Sequence, residues 1–416
     1  MRIASTGTYR LGRDDASLVR VAGPLGKGMT VAQTIPRICH ASWVTGNQAG
    51  LPLAMILGPH GGSAWTTAWS QGLVETELPY GAECLREHGF EVEYPSLDDL
   101  PGWSSRLGHS LTRRTHDLVS LPVTPALALA SRWLRADVVI SLFEDNGFAM
   151  APLLRAQRRL GLKPVTSVVV SCWAAEKAVS SSFHVLRRYS AMLNAFDLVV
   201  CFSSNQPELL RDRFNIPEEK IVCTTFGCRS DAFAGEEVHA AGVPPVLTVG
   251  NDVGRDYATF IKAVERAKTT GLIVTNSWHS DRLPTSGAVT ARNGVDRSTY
   301  LGLLAATQVV VIPTFGLAYP TGQSVLIEAM ASGKACVVSA SPAMLDYVQH
   351  EINALTVPVG DSSAMASAIS RLLADEGERR RLGHQARRDA SDRHDIRRMW
   401  GDIAAGITRE RSGTEL

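Results

Sequence analysis

Two doubly wound α/β domains, Rossmann-like and facing each other across a cleft, are what this sequence predicts. Three observations carry the prediction. Short β-branched runs alternate with helix-forming stretches along most of the chain, the pattern of a parallel sheet flanked by helices. The alternation breaks once, around 224–245, in the Gly/Ala/Pro-rich stretch FGCRSDAFAGEEVHAAGVPP, and then restarts. The chain has 416 residues, too many for a single ordinary core. The expected division is an extension over 1–50, a first domain over 51–235, a second over 236–392, and a helical segment over 393–416 that can pack back on the first domain.

The elements follow in order. Residues 1–50 show little periodicity. Leu53–Leu57 is the first strand, and Gly58–Ser63 is a glycine-rich loop. A helix fits Gly81–His88 with Gly89 as its stop, and a strand fits Glu91–Tyr94. Residues 99–115 are polar and basic, and a helix lies around Pro125–Leu134. Strand Val138–Leu142 ends at Phe143-Glu144-Asp145-Asn146-Gly147. Helix Met150–Leu160 leads to the strand Val165–Val170, and helix 182–195 to the strand Leu198–Cys201. In the second half, strand Val246–Val249 precedes helix 256–268 and strand Leu272–Thr275. A turn-rich region then reaches about residue 296. Helix 298–306, strand Val309–Ile312, helix Gly322–Ser332, strand Cys336–Val338, strand Asn353–Val357 and helix Ser362–Leu373 complete the pattern. The remainder is helical and heavily basic, most simply a solvated face.

Composition narrows the class. Hydrophobic residues make up 45% and charged residues 20%, as in a globular protein. The net charge of +1 provides no field for nucleic acid or an anionic membrane, so neither is an expected partner. No apolar run approaches the ~18 residues of a spanning helix. The N-terminus lacks the apolar core of a secretory signal, and a cytoplasmic location is expected. Seven cysteines (39, 84, 172, 201, 223, 228 and 336) form no C-x-x-C pair, which suits reduced thiols better than zinc or disulfides.

The stretch Val309–Ser339, VVVIPTFGLAYPTGQSVLIEAMASGKACVVS, places a helix start at the carboxyl edge of a parallel sheet. The free N–H groups of Gly322, Gln323 and Ser324 form an anion site there. Glu328 lies four residues beyond Ser324 on the same helix face, where it would accept hydrogen bonds from ribose hydroxyls. The loop Gly250-Asn251-Asp252-Val253-Gly254-Arg255 opens the helix capped by Asp256. Its glycines are four apart, so neither nucleotide fingerprint holds. Arg255 could clamp a diphosphate or be a plain surface residue. In the first domain the candidates are His60 in the glycine loop, and Glu144 and Asp145 just beyond a strand end. For each, an ordinary loop position is the competing reading. Cys172-Trp173 should face the cleft.

With these residues in place, the second half resembles the family 4 glycosyltransferases, which have the GT-B fold and use nucleotide-sugar donors. SVLIEAMASGKACVV (324–338) is similar to that family's nucleotide-binding helix, and LDYVQHEINALTVPVGD (345–361) to the segment that follows. FNIPEEKIVCTTFGCRSDAF (214–233) resembles the interdomain segment, and Gly81-Ala82-Glu83 the first helix of the acceptor domain. In the family a basic pair holds the diphosphate. Here Asn251 stands at the first position and Arg255 at the second. Of the family's two glutamates, Glu328 keeps the ribose-binding one, whereas Pro320 replaces the other. Thr321-Gly322-Gln323-Ser324 would then supply amides and hydroxyls to the phosphates. Ser171-Cys172 occupies the place where the family often has a histidine.

The resemblance implies a retaining hexosyltransferase that takes a nucleotide-sugar, UDP-sugar first, as co-substrate. It implies no further cofactor and no metal. The acceptor would be a small molecule or lipid-linked. A nucleotide-sugar epimerase or hydrolase of the same fold, and a non-catalytic partner subunit, are the alternative readings.

Overall fold

Strands β1 (Leu53–Leu57), β2 (Glu91–Glu93), β3 (Val138–Leu142), β4 (Thr166–Val170), β5 (Leu198–Cys201) and β6 (Ile221–Cys223) form one sheet. Their order is β2-β1-β3-β4-β5-β6, and every pairing is parallel. A second parallel sheet holds β7 (Val246–Val249), β8 (Gly271–Val274), β9 (Val289–Arg292), β10 (Val309–Ile312), β11 (Ala335–Ser339) and β12 (Leu355–Val357). Its order is β12-β11-β10-β7-β8-β9. The computed structural model describes residues 50–58, 62–95, 133, 135–233, 242–276 and 287–414. The expected fold class, two Rossmann-like domains, is the one observed.

The helices of the first half are α1 (Gly62–Ser70), α2 (Glu144–Arg159), α3 (Ala174–Ser180), α4 (Phe183–Leu193) and α5 (Gln206–Phe214). Those of the second are α6 (Tyr257–Arg266), α7 (Arg297–Ala306), α8 (Gln323–Ala331), α9 (Ser362–Ala374), α10 (Glu376–Arg393) and α11 (Ile396–Thr414). Strands β3 and β10 are buried at every position, because helices cover both faces of each sheet. That double cover explains why the strands read as unbroken Val/Ile runs.

Several expectations need correction. Helix α2 begins at Glu144, six residues before Met150, directly after β3. Two carboxylates in its first turn suit a helix start, and Pro152 is accommodated inside the helix. Gly81–His88 is part of a 3-10 segment, Pro79–His88, in which Tyr80 and Gly81 are left-handed (φ 58° and 66°). The structure adds α1, α3, α5 and the edge strands β6 and β9 to the expected elements. The two added strands are short and pair on one side only, so they carry little of the burial that makes a strand legible. The 99–115 stretch and, apart from Trp133, the helix expected around Pro125–Leu134 lie outside the described residues.

The basic C-terminus is more than a solvated face. In α11, Ile396, Met399, Trp400, Ile403, Ala404 and Ile407 recur at helical spacing and join the core beneath the first sheet, with Val168, Val170 and Val200. Trp400 is fully buried, and its Nε1–H donates to the carbonyl of Tyr80 at 2.8 Å. The chain therefore crosses between the domains twice. The two crossings run side by side: Cys228 N–H donates to His394 O (3.0 Å) and Ile396 N–H to Cys228 O (2.9 Å).

His394 sits at this junction, 1% exposed, stacked on Tyr347 and 3.1 Å from the Thr225 hydroxyl through Nδ1. Burial pushes its pKa down from 6.5 to about 4. Because the native state holds the ring neutral, the unfolded state binds more protons between these two values. Stability is therefore present above pH 6.5 and falls as the pH drops toward 4. The expected loss is about 3 kcal/mol, from ~1.4 kcal/mol per pKa unit. Urea titrations of wild type and His394→Phe at several pH values check this. The variant should show a shallower loss over that interval.

Candidate functional site

The carboxyl ends of β7 and β10 are neighbours, so the loops that follow them meet. Asp256 N–H donates to Pro313 O (3.0 Å) and Phe315 N–H to Gly254 O (2.9 Å). Asp252 ties the loops further. Its Oδ1 accepts from Gly254 N–H (2.6 Å), the Tyr319 hydroxyl (2.7 Å) and the Thr321 hydroxyl (2.9 Å). The Thr321 hydroxyl, expected to face a phosphate, is thus directed to this carboxylate.

Arg255 leaves the loop just before Asp256, which caps α6 by accepting from Thr259 N–H at 3.0 Å. Its side chain turns away from α6 and lies between two glycines. A Cβ on Gly250 would stand 2.3 Å from Arg255 Nε, and one on Gly322 would stand 2.4 Å from Nη1. Gly322 also has φ 85°, so no other residue fits there without strain. Arg255 is 6% exposed, and Nη2 donates to Val249 O at 2.6 Å. Nε and Nη1 are buried and have no hydrogen-bond partner among the described residues. Burial opposes the charge and lowers the pKa from the usual arginine value, with Tyr257 and Asp252 acting against it.

This cation lies at the start of α8, which no side chain caps. Helix starts repel cations, and a buried guanidinium with two idle donors is costly. Both costs disappear when an anion bridges Arg255 and the first-turn amides of Gln323 and Ser324. The arrangement is therefore a candidate anion site built from two loops.

Glu328 lies on the next turn of α8, and both its oxygens are engaged. Oε1 accepts from Arg297 Nη2 (3.1 Å), and Oε2 accepts from Arg297 Nη1 (3.3 Å) and the Tyr300 hydroxyl (2.6 Å). Arg297 also donates through Nε to Glu75 of the first domain at 2.6 Å, and it rests on the rings of Phe233 and Tyr300. Burial works against the Arg297 charge, but Glu328 and Glu75 more than offset it and raise its pKa. Burial first, and Glu328 second, push the Tyr300 hydroxyl well up, which keeps it a neutral donor. Oε1 of Glu328 retains a free lone pair for a hydroxyl.

The first domain reaches the same loops. Glu176 of α3 accepts from Ala318 N–H (2.9 Å), and Asn205 Nδ2 donates to Ala318 O (3.0 Å). Ser204 donates to Asp346 (2.8 Å), and the Tyr347 hydroxyl donates to Phe202 O (2.8 Å) while accepting from Phe226 N–H (2.9 Å). These contacts close the two domains over the loops of the candidate site.

The other anticipated residues are scattered. Glu144 is 1% exposed, and its Oε1 accepts from the Ser171 hydroxyl (2.9 Å), Trp173 N–H (2.6 Å) and Ala174 N–H (2.8 Å). It caps α3 and shapes the Cys172–Trp173 turn. Burial raises its pKa, against the pull of those hydrogen bonds. Asp145 is exposed on the first turn of α2. Asn251 Oδ1 accepts from Asn276 N–H at 2.6 Å, which turns this side chain toward the end of β8. His60 lies outside the described residues. Sequence reasoning missed Arg297, Tyr300, Glu75, Glu176 and Asn205. The first two are three apart on α7, a spacing that puts them on one face, but nothing in the sequence pairs them with Glu328.

Among the described residues no helix is long and apolar enough to cross a membrane, and no cluster of three metal-ligating side chains occurs.

Residues 240–375 match the family model described as glycosyl transferases group 1. Over 110 residues the chain is 30% identical to an uncharacterized glycosyltransferase of Methanocaldococcus jannaschii, which is 26% of this chain, and it spans about a quarter of that relative's length. Among solved structures, HepE from Anabaena in complex with UDP-glucose is similar with a TM-score of 0.58 at 17% identity. That match covers 86% of this chain and 99% of the other. Sucrose-phosphate synthase from Thermosynechococcus elongatus gives 0.56 at 17% identity, covering 86% and 99%. The catalytic domain of starch synthase IV from Arabidopsis thaliana, bound to ADP and acarbose, gives 0.59 at 12% identity, covering 88% and 100%. With two parallel Rossmann-like domains closed on one another and these likenesses over most of its length, the chain has the GT-B fold.

Proposed function

We propose that this protein is a retaining glycosyltransferase that moves a sugar from a nucleotide-diphosphate sugar, UDP-sugar first, to a small or lipid-linked acceptor. The observation that carries the proposal is Arg255, buried with two idle donors at an uncapped helix start. A diphosphate supplies the oxygens this site lacks. The match of residues 240–375 to a glycosyltransferase family model, and the GT-B structures that hold UDP-glucose or ADP, support the choice of ligand.

In this reading the α- and β-phosphates bridge Arg255 and the amides of Gln323 and Ser324. Negative charge grows on the leaving diphosphate as the glycosidic bond breaks, and a preorganised cation with helix-start amides stabilises it there. Glu328, oriented by Arg297 and Tyr300, takes a ribose hydroxyl on its remaining lone pair. Glu176 and Asn205, by holding both polar groups of the Ala318 peptide, keep the cleft closed against water. Glu144 is assigned to positioning, because its Oε1 is occupied by the α3 start. Asp145 and His60 receive no role.

Calorimetry with UDP, ADP and GDP tests the proposal. Saturable binding of at least one diphosphate is expected, and Glu328→Ala should weaken it by ~1–3 kcal/mol. No binding of any nucleotide diphosphate would remove the reading. Incubation with the donor and no acceptor separates transfer from the rivals, since fast donor breakdown or epimerisation would favour an enzyme of the other two classes.

A further inference from the structure

Cys201 ends β5 and Cys223 ends β6, and the two are register partners in adjacent parallel strands. Neighbouring strands run about 4.8 Å apart, and register partners project to the same face. That separation lies inside the Cα range that disulfides span. The pair is asymmetric. Cys201 is fully buried, whereas Cys223 is exposed. The other described cysteines, 84, 172, 228 and 336, are all buried.

We propose that Cys201 and Cys223 form a redox modification site, at which a peroxide oxidises Cys223 and Cys201 resolves it to a disulfide. In the first step the Cys223 sulfur attacks a peroxide oxygen, the O–O bond breaks, and water leaves with the thiol proton. Cys223 becomes a sulfenic acid. In the second, the Cys201 sulfur attacks the sulfenyl sulfur, an S–S bond forms, and a second water departs with the Cys201 proton. One hydrogen peroxide is reduced to two waters for each dithiol oxidised.

The local chemistry favours this order. The adjacent Cys201 thiol lowers the Cys223 pKa, and burial acts the other way. The same adjacency, together with burial, pushes Cys201 well up. An accessible thiol with the greater thiolate share beside a sheltered resolving thiol is the arrangement of a peroxide-sensitive cysteine. The position gives the link a consequence. Phe202 and Phe226, each just beyond one of the two strands, both bond to the Tyr347 hydroxyl of the second domain. The disulfide would tie together the two strand exits that carry this contact.

The test is peroxide treatment of the whole protein, followed by mass mapping without reduction. The expected product is a Cys201–Cys223 cross-link with the loss of two hydrogens, reversed by dithiothreitol. In Cys201→Ala, dimedone should label Cys223 several-fold more than in wild type, because the sulfenic acid has no resolving partner. In Cys223→Ser no link should form, and Cys201 should stay unlabelled. Melting curves of both variants establish that they are folded. Overoxidation of Cys223 without the link, a link from Cys223 to Cys39, or no reaction at Cys223 would each overturn the proposal.

Discussion

Arg255→Met is expected to weaken nucleotide-diphosphate binding by roughly 10- to 150-fold, or ~1.5–3 kcal/mol, the cost of a hydrogen bond to a charged group. It should do so without lowering the melting temperature of the unliganded protein. The two halves of this prediction share one cause. Among the described residues Arg255 Nε and Nη1 have no partner, so in the free protein the desolvation cost of the guanidinium is offset only by the Nη2 bond to Val249 O and by the attraction of Tyr257 and Asp252. Met fills much of the same stem volume with no charge to bury, and the free protein is expected to hold or gain stability. Arg255→Lys should fall between, because an ammonium keeps the charge but loses the fork that reaches two oxygens. Calorimetric titration with UDP, paired with thermal melting of the same samples, reads both effects. A variant that melts much lower and binds normally would make Arg255 a structural residue.

Trp400→Ala is expected to cost ~3–5 kcal/mol of stability, the range for deleting a fully buried large aromatic side chain. Trp400 fills the core between α11 and the first sheet, and its Nε1–H is paired with Tyr80 O. Removal leaves a cavity and deprives that carbonyl of its partner. The effect should be regional as well as global. With Trp400 gone, α11 loses its central anchor, and limited proteolysis is expected to cut first within 396–414. Urea unfolding and a proteolysis time course check this, and a loss below about 1 kcal/mol would mean the helix is held by its flanking contacts.

The parts of the site that were legible in the sequence are local. A glycine before a helix, a strand before that glycine and a carboxylate four residues on are relations within one turn of chain, and the periodicity of the backbone fixes their geometry. For the same reason Asp256 could be named as a cap, and it accepts a first-turn amide in the structure. The apolar stripe of α11 was also present in IRRMWGDIAAGI, but the surrounding basic residues masked it. Short edge strands were harder to read. β6 and β9 have three and four residues and are stabilised by one neighbour each, so the decisive information lies outside them.

Contacts between distant residues were not legible. Arg297 meets Glu328 across 31 positions and Glu75 across 222, and no spacing rule links such pairs. Glu144 shows another limit. Its place beyond a strand end suggests chemistry, and only the structure shows that three donors from 171–174 converge on Oε1 and hold it at the α3 start. By itself the sequence determined the fold class, the two parallel sheets and the place of a candidate anion site at the start of α8, because periodicity and helix-terminus chemistry are properties of contiguous chain. Only the tertiary structure decided that Arg255 is sealed between Gly250 and Gly322, that Glu328 is shared with Arg297, and that α11 closes the core of the other domain. Those outcomes depend on burial and on which surfaces meet, and both are set when the two domains pack together.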